Sequence, residues 1–132
     1  MDTTTRENLL SSMRGEAFAH AKYTFYAEQA RRNGREALAE LFERTANVEL
    51  QEHFKEEAEL AGLLGSDEEN LRDAIAGESY EVETMYREFA EQATSAGESA
   101  AAERFIEVRS DEMKHRRLFE AALAELGTPA LT

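Results

Sequence analysis

The chain has 132 residues, of which 33% are charged, with a formal net charge of −13 and no cysteine. These properties exclude disulfides and thiolate metal sites, and they disfavour nucleic acid and anionic membranes as partners. One proline and seven glycines favour long helices over a sheet. Because no signal-peptide pattern opens the chain and no apolar run could span a membrane, we expect a cytoplasmic protein.

The signals that start and stop helices predict four helices within one domain that spans residues 1–132. The predicted helices run from Thr4 to a stop at Gly34, from about Arg35 to Leu64, from Ser66 to about Ser95, and from Glu98 to about Leu126. They form two helix pairs, at about 5–64 and 67–126, so the chain is predicted to be all-α.

Capping-box patterns open the first and third helices, at Thr4 with Glu7 and at Ser66 with Glu69. The run from Gly127 through Thr128 to Pro129 ends the fourth helix, because proline does not continue a helix easily.

Each predicted helix carries a glutamate near the middle of its apolar stripe. These residues are Glu16, Glu49, Glu78 and Glu112, and the first and fourth stripes also contain His20 and His115. Carboxylates that are buried together are strongly unfavourable unless they are protonated or bound to cations. The stripes therefore predict a metal site, and its oxygen-rich ligands with imidazole favour iron or manganese.

The two halves of the chain resemble each other. Residues 27–54 align without a gap to residues 90–117. The candidate ligands paired by this register are Glu49 with Glu112 and Glu52 with His115. Glu112 and His115 are three residues apart, so they share one helix face.

A length difference between the halves predicts a π-bulge. Upstream of the aligned segments "GEAF" matches "GESY", which places Glu16 on Glu78. From that glutamate to "AEQA" the distance is 11 residues in the first half and 12 in the second. The extra residue predicts a π-bulge between Glu78 and Ala90.

Three stretches resemble helices of the rubrerythrin family, over about residues 8–126. They are "NLLSSMRGEAFAHAKYTFYAEQA", "NLRDAIAGESYEVETMYREFAEQA" and "DEMKH", which are similar to the family's first, third and fourth helices. The resemblance implies a ferritin-like four-helix bundle that holds two iron ions per site, with manganese as an alternative metal. It also implies reduction of hydrogen peroxide to water in defence against oxidative stress.

The resemblance also implies roles for individual residues. Glu49 and Glu112 would bridge the two metals, Glu78 and His115 would complete one of them, and Glu16 and Glu81 would complete the other. Tyr23 and Tyr86 match tyrosines that donate hydrogen bonds around the site.

The sequence departs from the family in two respects. Rubrerythrins usually carry a rubredoxin-like domain with Cys-ligated iron, whereas this chain has no cysteine. Electrons are therefore expected from a separate donor, either rubredoxin-like or a flavoprotein. The family's second helix also carries Glu-x-x-His, and here the position of that histidine is Glu52. The repeat favours Glu52 as the ligand, with His53 and His20 as alternatives.

The repeat and the family fold together predict a domain-swapped homodimer. The second and third helices of a ferritin-like bundle run in the same direction, so their connection must return along the bundle. The link near Gly65 has too few residues to span that distance. Exchange of helix pairs between two chains removes the need to span it.

Three functions are consistent with the sequence. The first is a di-iron peroxidase. The second is a ferroxidase or iron-handling protein that oxidises Fe(II) with O₂ or peroxide, which the extra anionic Glu52 favours. The third is a metal-free helical interaction module, for which the buried carboxylates would have no explanation.

Overall fold

The computed structural model describes residues 1–127, and every regular element in that range is helical. Helix α1 is Thr3–Arg32, and helix α2 runs through Glu36–Val48, a π-helical segment Glu49–Phe54 and Lys55–Ala61. Helix α3 runs through Asp67–Tyr80, a π-helical segment Glu81–Met85 and Tyr86–Ser95, and helix α4 is Ser99–Leu126. The prediction of an all-α chain with four helices is confirmed. The predicted stop at Thr128 and Pro129 lies outside the described residues.

The ends of α2 and α3 follow glycine and capping chemistry. Helix α2 ends at Ala61, because Gly62 takes the left-handed conformation with φ of 67°. The predicted end at Leu64 is therefore wrong. The predicted capping box of α3 is confirmed, since Glu69 N donates to Ser66 Oγ and Ser66 N donates to Glu69 Oε1, both at 3.1 Å.

Helix α1 begins one residue earlier than predicted. Asp2 is its N-cap and accepts a hydrogen bond from Thr5 N at 2.7 Å. The predicted capping box of Thr4 with Glu7 is wrong, because an aspartate two residues earlier already caps the free N–H groups.

The π-bulge predicted in the third helix is confirmed at Glu81–Met85. A second π segment, Glu49–Phe54 in α2, was not predicted, because the repeat alignment has no gap there. In both segments the backbone bonds shift from i+4 to i+5, which turns the following side chains to a new face of the helix.

The chain divides into two compact units, Met1–Leu64 and the residues from Gly65 onward, and each corresponds to one of the predicted helix pairs. In the first unit α1 and α2 form an antiparallel hairpin, which we call hairpin 1. Its turn is at Gly34, where φ is 74°. Ala27 and Ala30 of α1 pack on Ala39 of α2, because small side chains let the helices approach closely.

In the second unit α3 and α4 form an equivalent antiparallel hairpin, which we call hairpin 2. Its turn is at Gly97, where φ is 76°. Val82, Ala90 and Ala102 are buried between its helices. Within residues 1–127, no helix combines the length and the apolar character that a membrane span requires.

Candidate metal centre

Hairpin 1 holds the first group of possible metal ligands. Glu16 projects from α1, while Glu49 and His53 project from the π segment of α2, and one ligand atom from each lies within 4.8 Å of the others. His53 Nδ1 is 3.4 Å from Glu16 Oε2 and 3.5 Å from Glu49 Oε1. The two carboxylates are 22% and 17% exposed, whereas the histidine is 49% exposed. The acids are therefore anchored between the helices and the imidazole lies at the edge of the group.

Hairpin 2 holds the second group. Glu78 of α3 lies beside Glu112 and His115 of α4, again with one ligand atom from each within 4.8 Å. His115 Nδ1 is 3.8 Å from Glu78 Oε1 and 3.6 Å from Glu112 Oε1. The exposures repeat those of hairpin 1, with 16% and 15% for the acids and 51% for the histidine.

Each group contains a buried oxygen atom that lacks a partner. Glu16 Oε2 and Glu78 Oε2 are buried without a hydrogen-bond donor among residues 1–127. An unpaired carboxylate oxygen out of water costs several kcal/mol, unless a proton or a cation compensates it. Two carboxylates, one imidazole and an orphaned oxygen are the donors that iron and manganese accept, so both groups fit such a metal.

The pKa values in hairpin 2 show how strongly its acids repel one another. Burial and the neighbouring Glu112 carboxyl raise the pKa of Glu78 to about 7. Glu112 accepts a hydrogen bond from the Glu78 carboxyl, which lowers the pKa of Glu112. The pair therefore shares a proton near neutral pH, and a bound cation would displace it.

Glu81 and Tyr86 extend the group in hairpin 2. Glu81, the first residue of the π segment of α3, is half-buried, and burial followed by the proximity of Glu112 raises its pKa. Burial, followed by the negative charges of Glu81, Glu112 and Glu78, raises the pKa of Tyr86. The Tyr86 hydroxyl therefore stays protonated and lies within electrostatic range of the acids.

In hairpin 1 the acids show the same effect. The neighbouring Glu16 carboxyl, followed by burial, raises the pKa of Glu49. The position of Glu81 has no acidic counterpart in this group, since the only ligand atoms that gather within residues 1–64 are those of Glu16, Glu49 and His53.

The structure places His53 in the group, while Glu52 is exposed and lies outside it. In a regular α-helix a residue three positions after Glu49 would face the same way, which is why the repeat favours Glu52. The π segment widens the turn, so the residue four positions later takes that face. A Glu-x-x-x-His spacing in place of Glu-x-x-His was the sequence signal for this second bulge.

The other candidate residues lie close to the two groups. His20 Nδ1 is 2.8 Å from the Ala46 carbonyl oxygen, so this nitrogen carries hydrogen and donates to the backbone. Tyr23 packs against Tyr26 and Phe42, with ring centroids 6.2 and 6.0 Å away. His20 is therefore held by α2, and Tyr23 belongs to an aromatic cluster beside the group.

Comparisons with known proteins agree with this geometry. The family model described as Rubrerythrin matches residues 7–54 and 47–123. A rubrerythrin from Porphyromonas gingivalis is 37% identical over 92% of this chain and 67% of its own length. A nigerythrin from Nitratidesulfovibrio vulgaris is 35% identical over 95% of this chain and 68% of its own.

Solved structures of nigerythrin, in a fully reduced all-ferrous state and in a mixed-valence state, are also similar in sequence. Both are 34% identical and cover 96% of this chain, with 69% and 68% of the nigerythrin chain covered and a TM-score of 0.48. The family model spans most of the chain, and curated relatives above 30% identity are matched over two thirds of their length. The chain therefore belongs to the rubrerythrin family of ferritin-like di-iron oxidoreductases, as its sequence motifs predicted.

Proposed function

We propose that this protein is a di-iron peroxidase that reduces hydrogen peroxide to water with electrons from a separate donor. The observation that carries the proposal is the pair of Glu-Glu-His groups, each with a buried carboxylate oxygen that has no hydrogen-bond donor. Membership in the rubrerythrin family supplies the metal and the reaction class.

The reaction takes two electrons and two protons, cleaves the O–O bond of peroxide and releases two molecules of water. Two ferrous ions, when bound, supply the electron pair for that cleavage. A rubredoxin-like protein or a flavoprotein then returns two electrons to the site. We propose that Glu16, Glu49 and His53 hold iron in hairpin 1, and that Glu78, Glu81, Glu112 and His115 hold it in hairpin 2.

The chain's own contribution begins with the acids. Metal binding releases the proton that Glu78 and Glu112 share, so both carboxylates become ligands. Tyr86 keeps its proton because of burial and the nearby acids, so it can donate a hydrogen bond to an oxygen atom at the site. We propose the same role for Tyr23, its repeat-related counterpart.

We further propose that a complete site draws one group from each of two chains, in a domain-swapped homodimer. Glu49 lies 12 residues before the end of α2 and Glu78 lies 11 residues after the start of α3, which together span roughly 35 Å at the rise of a helix. The five connecting residues, 62–66, reach at most about 20 Å. Light scattering that finds monomers with a full complement of metal would disprove the exchange.

The ferroxidase alternative loses its specific support. It depended on Glu52 as an additional anionic ligand, and Glu52 is exposed and outside the group. The neutral imidazole of His53 gives hairpin 1 the same ligand types as hairpin 2, which is closer to the family pattern described above.

The experiment that separates these functions is anaerobic stopped-flow absorbance. The protein is loaded with two Fe(II) per site and mixed separately with hydrogen peroxide and with O₂. A peroxidase is oxidised far faster by peroxide and keeps its iron afterwards. Equal rates with O₂, or repeated consumption of added Fe(II), would instead identify a ferroxidase.

A matched control removes the ligands of one hairpin. The Glu78→Ala/Glu112→Ala variant should lose the fast peroxide phase, whereas Glu56→Ala/Glu59→Ala, which removes two exposed acids from α2, should retain it. Loss of the phase in both variants would show that the negative charge of the chain, rather than the ligand groups, controls the reaction.

A further inference from the structure

Arg109 makes an unusual contact for an arginine in a chain with 28 acidic residues. Its Nε donates a hydrogen bond to the backbone carbonyl oxygen of Val82 at 2.6 Å. Arg109 is partly buried on α4, and Val82 is 1% exposed. Val82 directly follows Glu81 in the π segment Glu81–Met85, so the guanidinium holds the backbone beside a candidate ligand.

A π segment provides a reason for this contact. Where the backbone bonds shift from i+4 to i+5, a carbonyl near the shift loses its usual N–H partner. A buried carbonyl without a donor costs roughly 1 to 3 kcal/mol. Arg109 supplies the donor from the opposite helix, and it thereby stabilises the π turn relative to a regular α-helical turn.

Hairpin 1 contains the repeat-related contact with the donor and acceptor exchanged. His20 Nδ1 of α1 donates to the Ala46 carbonyl oxygen at 2.8 Å, three residues before the π segment of α2. In the repeat register Ala46 corresponds to Arg109. In each hairpin a side chain of the helix without the bulge therefore donates to a carbonyl of the helix that has one.

We propose that Arg109 is a positioning residue, which fixes the π turn of α3 and so directs the Glu81 carboxylate toward the metal ligands of hairpin 2. The inference rests on the proposed function, because it requires a metal at Glu78, Glu112 and His115. Its electrostatic effect has the opposite sign, since a cation close to the acids weakens binding of another cation. Loss of Arg109 therefore separates positioning from charge by the direction of the change.

The test is a titration of the full chain with Co(II), followed by the visible absorption of the bound ion. Arg109→Ala should weaken Co(II) binding by about tenfold and alter the ligand-field spectrum, as expected when support of a ligand is lost. Arg109→Lys keeps the charge but not the position of Nε, so it should shift the spectrum in the same direction by a smaller amount.

Arg116→Ala is the matched control. Arg116 lies two turns further along α4, and its Nη1 contacts Glu83 Oε1 of the same π segment at 3.0 Å. It holds a side chain rather than the backbone, so its removal should leave the spectrum unchanged. If both alanine variants bind Co(II) more tightly, charge is the dominant effect and the positioning role is refuted.

A double-mutant cycle tests whether Arg109 acts through Glu81. In a Glu81→Ala background, Arg109→Ala and Arg109→Lys should cause no further change in affinity or spectrum. Additive losses would overturn the proposal, because Arg109 would then act elsewhere. If Arg109→Ala does not fold, the lysine variant in the two backgrounds decides the question, and a wild-type spectrum and affinity for it would also refute the inference.

The wild-type protein separates the two proposals. If it binds no Co(II), the proposed function fails and the positioning role fails with it. If it binds Co(II) and Arg109→Ala has the same affinity and spectrum, the positioning role alone fails.

Discussion

The two hairpins present the same ligand types on different backbones. In hairpin 2, Glu112 and His115 are three residues apart on a regular α-helix, and the π segment is on the opposite helix. In hairpin 1, Glu49 and His53 are four residues apart and the π segment contains both. A one-residue offset in sequence is thus compensated by one wider turn, and the imidazole reaches the two carboxylates in both hairpins.

The aromatic side chains beside the two groups are more closely conserved between the hairpins. The centroid distances are 6.2, 6.0 and 5.4 Å among Tyr23, Tyr26 and Phe42, and 6.3, 6.2 and 5.6 Å among Tyr86, Phe89 and Phe105. The repeat therefore preserves packing to within a few tenths of an ångström. The hairpins differ in charge, since Glu81 adds a third acid in hairpin 2 alone.

The strongest test of the comparison removes the acid pair from one hairpin at a time. Because each pair supplies most of the charge that holds a cation, both double variants should lose at least one of two bound Fe(II) per chain. The variants are Glu16→Ala/Glu49→Ala and Glu78→Ala/Glu112→Ala, and anaerobic Fe(II) titration measures the stoichiometry. If one variant keeps full stoichiometry, the hairpins are not equivalent half-sites.

Substitutions at Glu52 and His53 test the register of hairpin 1. His53→Ala removes an imidazole that lies 3.4 and 3.5 Å from the two acids, so Co(II) affinity should fall roughly 10- to 100-fold. Glu52→Ala removes an exposed neighbour and should change the affinity less than about twofold. The reverse result would return Glu52 to the ligand set and restore the ferroxidase argument.

The register of hairpin 1 also marks the limit of prediction from this sequence. The helix pairs, the π-bulge of α3 and the convergence of Glu78, Glu112 and His115 follow from apolar periodicity, capping residues and a count of residues between matched motifs. The bulge at Glu49–Phe54 leaves no gap in the repeat alignment. Hydrogen bonds to individual carbonyls, such as that of Arg109, leave no pattern either, because they depend on the packing of two helices rather than on local spacing.

The third acid of hairpin 2 should make the stability of the metal-free protein depend on pH. The pKa of Glu78 is about 7 in the folded protein against 4.5 for the free side chain. The folded state therefore binds this proton more tightly, so stability is greatest below about pH 4.5 and declines as the pH rises through 7. Glu78→Gln should thus stabilise the metal-free protein at pH 8 by about 1 to 3 kcal/mol, with part of the effect offset by the lowered pKa of Glu112.

Thermal denaturation in chelator, at pH 5 and pH 8, measures this difference. Glu56→Gln, at an exposed position of α2, is the control and should change stability by less than about 0.5 kcal/mol at either pH. A Glu78→Gln variant with equal gains at both pH values would show that its effect comes from packing instead of ionisation.

The smallest expected effect concerns His20, the counterpart of Arg109 in hairpin 1. His20→Ala leaves the Ala46 carbonyl without the donor at 2.8 Å, and Ala46 is 3% exposed. The cost should be about 1 kcal/mol in the free energy of unfolding, measured by urea denaturation of the metal-free protein. His20→Asn should recover much of that loss, because its side-chain NH₂ lies at a similar position to Nδ1 and can donate to the same oxygen. If asparagine gives no recovery, the imidazole stabilises hairpin 1 by filling space between the helices, and the parallel between His20 and Arg109 is one of position without shared chemistry.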